Sequence, residues 1–421
     1  EFRRVLFRSV KKEEDIMKKF NKFLSVAVAS AMVMAMAGCG NTDNGSAATG
    51  TNAATESAAA SDSAASGSVF KIGGIGPTTG GAAVYGLAVQ HGAEIAVEEI
   101  NAAGGINGYQ VEFKFQDDEA DAEKSVNAYN ALKDWGAQII DGSTTSGACI
   151  AVTDKTKEDN MFQITPSGSA VECVQYDNNF RVCFSNPNQG LASAQYIGEN
   201  GLAEKIAVIY DSSDVYSSGI YEKFAKEAEN QPFEIVAAEA FTADNKTDFS
   251  VQLQKAKDAG ADMVFLPIYY QESALILTQA AAMGYAPKWF SCDGMDGILG
   301  GVDNFDVSLT EGVMLLTPFA ADATDDLTQS FVTKYKEKYG DTPNQFAADS
   351  YDAIYVIKAA IEKSGVTPDM SVSDICDGMK AAMTEITVDG LTGSGMTWTA
   401  DGEANKAPKA VVIENGAYKA M

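Results

Sequence analysis

Short apolar strands alternate with helices twice along this chain, and that rhythm restricts the fold more than any other feature. VFKIGGI (69–75) reads as a strand. A Gly-Pro-Thr turn follows, then a helix marked by Val89, Ala93, Ala96, Val97 and Ile100, whose spacing lays one apolar stripe along a helical face. It stops at Ala-Gly-Gly (103–105), where glycine takes the left-handed position after a helix end. Val111, Phe113 and Phe115 alternate as a strand, a helix covers about 120–136, QIIDG (138–142) is a strand, 147–160 is helical, and MFQITPSG (161–168) is a strand. After a break near 185–189 the pattern restarts. KIAVIYD (205–211), EIVAAEAF (234–241), DMVFLPIY (262–269) and KWFSCDG (288–294) are strands separated by helices over about 216–230, 248–260 and 272–284. Each half reads β-α-β-α-β-α-β. Such alternation predicts parallel sheets with right-handed crossovers, hence an α/β fold with two doubly wound lobes.

The N-terminal region belongs to a different class of sequence. Lys18, Lys19 and Lys22 follow Met17, and an uncharged stretch runs from Phe23 to Ala37. That stretch is shorter than the roughly 20 apolar residues a bilayer core requires. A basic start, a short apolar middle and small residues at the end make a secretory signal. AMVMAMAGCGN (31–41) resembles a bacterial lipobox, which implies cleavage before Cys39 and lipidation of its thiol. Residues 1–16 are set aside as an upstream leftover, and 17–38 as the signal. The Ser-, Ala-, Thr-, Gly- and Asn-rich tract 39–68 has almost no large apolar residue and is expected to be a flexible tether.

The body from Val69 onward, roughly 350 residues, is too long for one ordinary core and suits two lobes. A net charge of −27 argues against nucleic acid, whose phosphates need Lys and Arg clusters, and against adsorption to anionic lipid. With Cys39 reserved for lipid, Cys149, Cys173, Cys183, Cys292 and Cys376 remain, with no CxxC. Cys173 and Cys183 flank a turn at YDNN (176–179) and are placed to pair in an oxidising compartment; otherwise they are buried thiols. The single histidine, His91, lies off the apolar stripe of its helix, and no GxSxG elbow accompanies it. No metal site is read: QDDEADAE (116–123) lacks EF-hand spacing and reads as a solvated turn leading into a helix.

Open parallel sheets bind ligands beyond the carboxyl ends of their strands. In the first half those positions hold Tyr85, then Ser143, Thr144, Thr145 and Ser146, then Ser167, Gly168 and Ser169. In the second half they hold 211–216, Tyr269 and Tyr270, and Asp293. Ser146 sits at the start of a helix, whose free N–H groups and dipole favour an anion. Asp293 suits a cation, and the tyrosines offer flat apolar faces with polar tips. A serine alone at such a place is commonly just a cap, and an aspartate alone a turn former. Their joint appearance at successive strand ends points to a small ligand with a carboxylate and an ammonium, an α-amino acid.

GPTTGGAAVYG, GAEIAVEEINAAGGING, QDDEAD, GSTTSGA, ITPSGS, DVYSSG, GADMVFLPIYYQE and SCDG occur in that order. In this the chain resembles extracellular solute-binding proteins of ABC importers, of the branched-chain amino acid (leucine/isoleucine/valine) type, across about 70–420. The resemblance implies a type I periplasmic-binding-protein-like fold that closes on its ligand, with crossings near 185–189, 316–320 and 391–395. Lobe I would comprise 69–187 plus 319–392, and lobe II 188–318 plus 393–421. It further implies that Ser146 binds the ligand carboxylate and that Gly168 and Ser169 hold carboxylate and ammonium. Asp293 would pair with the ammonium, Tyr85, Tyr216 and Tyr269 would form walls and lid, and Phe346 would line the side-chain pocket. The expected protein is a monomer on the extracellular face of the cytoplasmic membrane or in the periplasm. It is held there by lipid alone, uses no cofactor, catalyses nothing, and hands its amino acid to an ABC permease. Two other classes compete. One is a ligand-binding sensor for an amide, urea or amino acid, although no membrane span follows Val69. The other is a nucleotide-using enzyme suggested by GGIGPTTGG, where Pro77 interrupts any GxGxxG.

Overall fold

The computed structural model describes residues 67–421; the signal, Cys39 and most of the tether lie outside them. Strand β1 (Phe70–Gly76) leads into helix α1 (Ala83–Ala102), followed by β2 (Val111–Asp117), α2 (Ala122–Trp135), β3 (Ile139–Asp141), α3 (Ser146–Asp159), β4 (Phe162–Thr165) and β5 (Asn179–Arg181). These five strands form one sheet in the order β2-β1-β3-β4-β5, all parallel. The rhythm then repeats through α4 (Asn186–Glu199), β6 (Lys205–Asp211), α5 (Val215–Ala228), β7 (Glu234–Phe241), α6 (Ser250–Asp258), β8 (Met263–Leu266), α7 (Tyr270–Ala282), β9 (Lys288–Ser291) and β10 (Met314–Thr317). Three helices, α8 (Asp326–Tyr339), α9 (Gln345–Ser364) and α10 (Val372–Met383), precede a closing hairpin of β11 (Lys409–Glu414) and β12 (Ala417–Ala420).

The second sheet runs β12-β11-β10-β9-β8-β6-β7, parallel except for the antiparallel β10-β11-β12 edge. Without that edge its order matches the first sheet, with the second strand of the half outside the first. In both halves the order reverses beside the opening strand, β1 or β6, so each sheet has a switch point where loops splay apart and leave room for a ligand.

Local sequence explains the elements. The inner strands are almost wholly buried apolar runs, as sheets covered on both faces require, whereas the edge strands β2 and β7 are partly exposed. Asp121 caps α2 by accepting from Lys124 N at 2.9 Å, and Gly136 ends it in the left-handed region. Phe70, Ile72, Phe162 and Ile164 pack beneath α1 and α9 in one core region, and Ile206, Val208, Phe224 and Phe265 form a core on the other sheet. Each such fully buried side chain stabilises the fold by about 1.5–3 kcal/mol. Helices α1 and α9 cross so closely that a Cβ on Gly92 would lie 2.0 Å from the Ala347 carbonyl oxygen.

The chain passes between the sheets three times, after β5, after β10 and between α10 and β11. The stretch 396–404, expected with the second lobe, lies instead along β5 of the first sheet. Arg181 N donates to Gly402 O at 3.1 Å, and Trp398 Nε1 to Arg181 O at 2.7 Å. These bonds satisfy the outer edge of β5. That strand went unread in the sequence, because its Asn179 and Arg181 are buried through hydrogen bonds rather than apolarity.

Candidate ligand-binding site

Loops from both switch points converge on a small cavity of about 20 Å³. Five of the seven expected ligand residues line it: Tyr85, Ser146, Tyr216, Tyr269 and Asp293. Phe346, at the start of α9, lines it too, and so do Thr144, Thr145, Ser167 and Gly294. Tyr85, Ser146 and Ser167 come from the first half, and Tyr216, Tyr269 and Asp293 from the second. Gly168 and Ser169 are not among its lining residues. Gly168 N donates to Thr165 Oγ1 at 2.7 Å, which fixes the loop, and Ser169 N donates to Ser146 Oγ at 3.1 Å and backs the serine from behind.

One side of the cavity is built to donate. Ser146 is the first residue of α3, and its Oγ accepts from both Ser169 N and Ala170 N at 3.1 Å. With both lone pairs taken, the hydroxyl has only its proton to offer, for which Ser169 Oγ at 3.5 Å is a distant acceptor. Thr145 holds the N-cap position but makes no side-chain cap bond, and its Oγ1 is buried with no partner. The first bond of the helix runs from Cys149 N to Thr145 O at 2.8 Å. The N–H groups of Ser146, Gly147 and Ala148 therefore precede the intrahelical ladder, at its positive end. Ser167 Oγ donates to Thr144 O at 2.6 Å and clips the two first-half loops together.

The opposite side is acidic. Asp293 is 5% exposed; Tyr216 donates its phenol to Oδ1 at 2.6 Å, and Gln189 Nε2 donates to Oδ2 at 2.9 Å. Gln345 Nε2 holds the Asp293 carbonyl at 3.0 Å. None of the ion pairs among the described residues includes Asp293; Lys406, itself buried, pairs with Asp349 at 2.7 Å. Burial, with a contribution from the Asp349 charge, pushes the Asp293 carboxyl up to about 7 against the pull of the Tyr216 and Gln189 hydrogen bonds. Gln189 and Tyr216 thus orient the carboxylate without supplying a counter-charge, and Gln345 fixes its main chain.

The remaining walls are aromatic. The Tyr85 ring lies 4.4 Å from Phe346, 5.1 Å from Tyr270 and 5.5 Å from Tyr269, and Tyr216 stacks on Tyr269 at 5.0 Å. Tyr85 is tied across the cleft at its tip: its hydroxyl donates to Gly294 O and accepts from Tyr270 N at 3.2 Å. Burial keeps the phenols of Tyr85, Tyr216 and Tyr269 protonated. Thr145, Tyr216 and Tyr269 also border an outer chamber of about 410 Å³ between the lobes, where Glu119, Asp121, Asp211, Asp214 and Glu272 gather. Lys246 in that chamber is bound to Glu272 at 3.0 Å.

The ligand-site residues beyond those expected had a partial signal. Thr144, Thr145 and Ser167 stand at strand ends in the sequence, but nothing there separates wall from backing residue. Gln189 and Gln345 stand far from Asp293 in sequence and carry no motif. Away from the site, His91 is half-buried, stacks on Tyr339 at 3.6 Å and meets Tyr335 Oη at 3.2 Å. Asp117 accepts from Thr78 N at 2.8 Å and Thr79 Oγ1 at 2.6 Å, fixing the turn after β1. The pairing of Cys173 with Cys183 is corrected: both are free, buried thiols. Cys173 shares an apolar cluster beside α3 with Cys149 and Ala170, and its thiol donates to the Ser146 carbonyl at 3.6 Å.

A family model described as periplasmic binding protein matches residues 69–417. A Leu/Ile/Val-binding protein homolog of Brucella melitensis is 30% identical over 300 residues, covering 71% of this chain and 80% of its own. The branched-chain amino acid transporter substrate binding protein of Streptococcus pneumoniae, solved with isoleucine, superposes with a TM-score of 0.76 at 28% identity. That match covers 84% of this chain and 98% of the other. A solute binding protein of R. palustris in complex with benzoate shares the fold, with a TM-score of 0.73 at 20% identity over 84% of this chain and 95% of the other.

Proposed function

The chain belongs to the periplasmic binding protein family, and we propose that it captures an amino acid, of branched-chain type by preference, between its lobes and delivers it to an ABC importer. One observation carries this reading. Ser146, a committed hydrogen-bond donor at a helix N-terminus, and Asp293, a carboxylate without a cationic side chain, line one cavity from opposite halves of the molecule. A zwitterion supplies a cation for Asp293 and a closer acceptor than Ser169 Oγ for the Ser146 proton. Its carboxylate accepts from Ser146, Thr145 and the first N–H groups of α3; its ammonium donates to Asp293. The rings of Tyr85, Tyr269 and Phe346 cover the side chain.

The lobes in this reading are 69–187 with 319–392, and 188–318 with 393–421, apart from the 396–404 stretch that lies on β5. Closing them buries the ligand, which strengthens both charged contacts because each charge is paired in a site from which water is excluded. Lipid on Cys39 keeps the monomeric body beside its permease outside the cell. The protein performs no chemistry on its ligand.

A thermal-shift panel on refolded protein tests the proposal. An amino acid present at 100 times its Kd stabilises the fold by about 2.7 kcal/mol and raises the melting temperature accordingly. A panel of all common amino acids that leaves the melting temperature unmoved would sink it.

A further inference from the structure

We propose that Arg181 is the positioning residue behind Ser146, and that its buried charge serves the ligand's carboxylate at a distance, relayed through a peptide group and the serine hydroxyl. The inference rests on the amino-acid reading of the site. No lysine or arginine lines the cavity, so its anion side consists of hydroxyls and N–H groups alone. A fully buried guanidinium nevertheless lies one peptide behind it. Arg181 ends β5 and is 0% exposed. Its Nη1 donates to Gly168 O at 3.2 Å and its Nη2 to Ala170 O at 2.8 Å.

Peptide geometry turns that grip into an orientation. The C=O and N–H of a planar trans peptide point in opposite directions. Gly168 O and Ser169 N belong to one peptide, and neither it nor the next is cis. With Gly168 O held by Arg181, Ser169 N–H faces the other way and meets Ser146 Oγ at 3.1 Å. The next peptide is fixed in the same manner: Ser169 O accepts from Asn186 N at 2.8 Å, and Ala170 N donates to Ser146 Oγ at 3.1 Å. The two N–H groups occupy the lone pairs of Ser146 and leave its proton for an acceptor in the cavity.

A cation on a carbonyl polarises the amide, and hydrogen bonds in a chain strengthen one another. Arg181 thus makes Ser169 N–H a stronger donor, and the Ser146 hydroxyl a stronger donor in turn. The guanidinium has charge to spare for this. Its one ion partner among the described residues is Glu403, on the stretch that runs along β5, 3.3 Å from Nε. The Glu403 side chain is 34% exposed, and Nε makes no hydrogen bond. A buried charge paired this loosely projects a positive potential through its low-dielectric surroundings. A carboxylate bound to Ser146 gains a counter-charge that it never touches.

The test compares leucine with leucinamide, which keeps the ammonium and the side chain but replaces the carboxylate by a neutral amide. Calorimetry on wild type, Arg181→Gln and Glu403→Gln gives the preference for leucine over leucinamide in each. Arg181→Gln should reduce that preference roughly tenfold, within the coupling range of groups in one hydrogen-bond network. Glu403→Gln removes the acid that partly offsets the guanidinium and should raise the preference by about twofold. An equal loss for both ligands in Arg181→Gln is what a purely structural role predicts, and it would overturn the proposal. A preference unchanged or lowered in Glu403→Gln would do the same, and this partly exposed residue decides alone should Arg181→Gln fail to fold. A ligand-free arm follows the Ser169 amide proton in protein labelled with nitrogen-15 at serine. It should move upfield in Arg181→Gln and downfield in Glu403→Gln; a resonance unmoved in the variants that fold would overturn the relay. Wild-type protein that binds neither probe but shows these shifts counts against the amino-acid reading and not against the role of Arg181.

Discussion

Tyr216 donates its phenol to Asp293 across 2.6 Å, and the same oxygen accepts from Gly294 N at 2.9 Å. The tyrosine is thus locked as a donor, and it holds the carboxylate toward the cavity without cancelling its charge. An ammonium arriving there completes a pair instead of competing with one.

Removing that carboxylate should therefore be severe. Truncating one partner of a buried, hydrogen-bonded charge pair costs about 2–5 kcal/mol. Asp293→Ala is expected to weaken amino-acid binding at least a hundredfold on the lower-middle of that range, measured by titration calorimetry. Tyr216→Phe removes one charge-assisted bond and should cost roughly tenfold, consistent with about 1.5 kcal/mol.

Binding should also depend on pH. The Asp293 carboxyl is held up to about 7 by burial, so below that pH it gains a proton and loses its attraction for an ammonium. Affinity is expected to fall as pH drops from 8 to 5, by at most tenfold per unit. Stability of the unliganded protein moves the other way. The folded value lies above the ordinary carboxylate value of about 3.9, so between them the native state binds more protons than the unfolded one. Stability then declines as pH rises from about 4 to about 7. Asp141, pushed up to about 7, and Asp349, pushed up to about 6, act in the same direction. Melting curves at pH 5 and pH 7.5 should show the decline, smaller in Asp293→Asn.

Thr145 separates a ligand role from a packing role. Its hydroxyl is buried and unpartnered, an arrangement that costs about 1–3 kcal/mol. Thr145→Val keeps the shape and deletes the cost. The variant should melt no lower than wild type while binding amino acids more weakly. A lower melting temperature with unchanged affinity would contradict this assignment.

Two buried contacts set the stability of the scaffold. Lys406 Nζ bonds to Asp349 at 2.7 Å and also to Thr392 Oγ1, and Asp352, which accepts from Leu391 N at 2.8 Å and Thr392 N at 2.9 Å, adjoins the same cluster. Lys406→Ala leaves buried carboxylates without their cation and should destabilise by about 3–5 kcal/mol in denaturant melts. Gly92→Ala drives a methyl into the Ala347 carbonyl. It should destabilise by more than the roughly 1–3 kcal/mol typical of overpacking, since backbone cannot step aside.

The sequence made the fold legible where burial is apolar and periodic. Strands such as EIVAAEAF (234–241) and helices such as α3 fall within a residue or two of their expected ends. It was silent where burial is polar. Strand β5 is Asn-Phe-Arg, buried through side-chain hydrogen bonds, and no propensity marks it. In the site, Ser146 and Asp293 were legible because both follow strands. Gln189 and Gln345 were not, because an amide that orients a carboxylate from a distant segment has no local pattern. Gly168 and Ser169 were placed in the right loop, but which way a loop turns its N–H groups depends on Thr165 and Ser146, which only the folded chain brings together.

The most direct test of the two-ended site is a calorimetric comparison of an amino acid with its two single-ended analogues, for leucine the carboxylic acid lacking the amine and the amine lacking the carboxylate. With Ser146 and Asp293 acting on opposite ends of one ligand, the amino acid binds and both analogues lose at least a hundredfold. Comparable affinity for the acid without its amine would show that Asp293 pairs with nothing, and the account would be wrong.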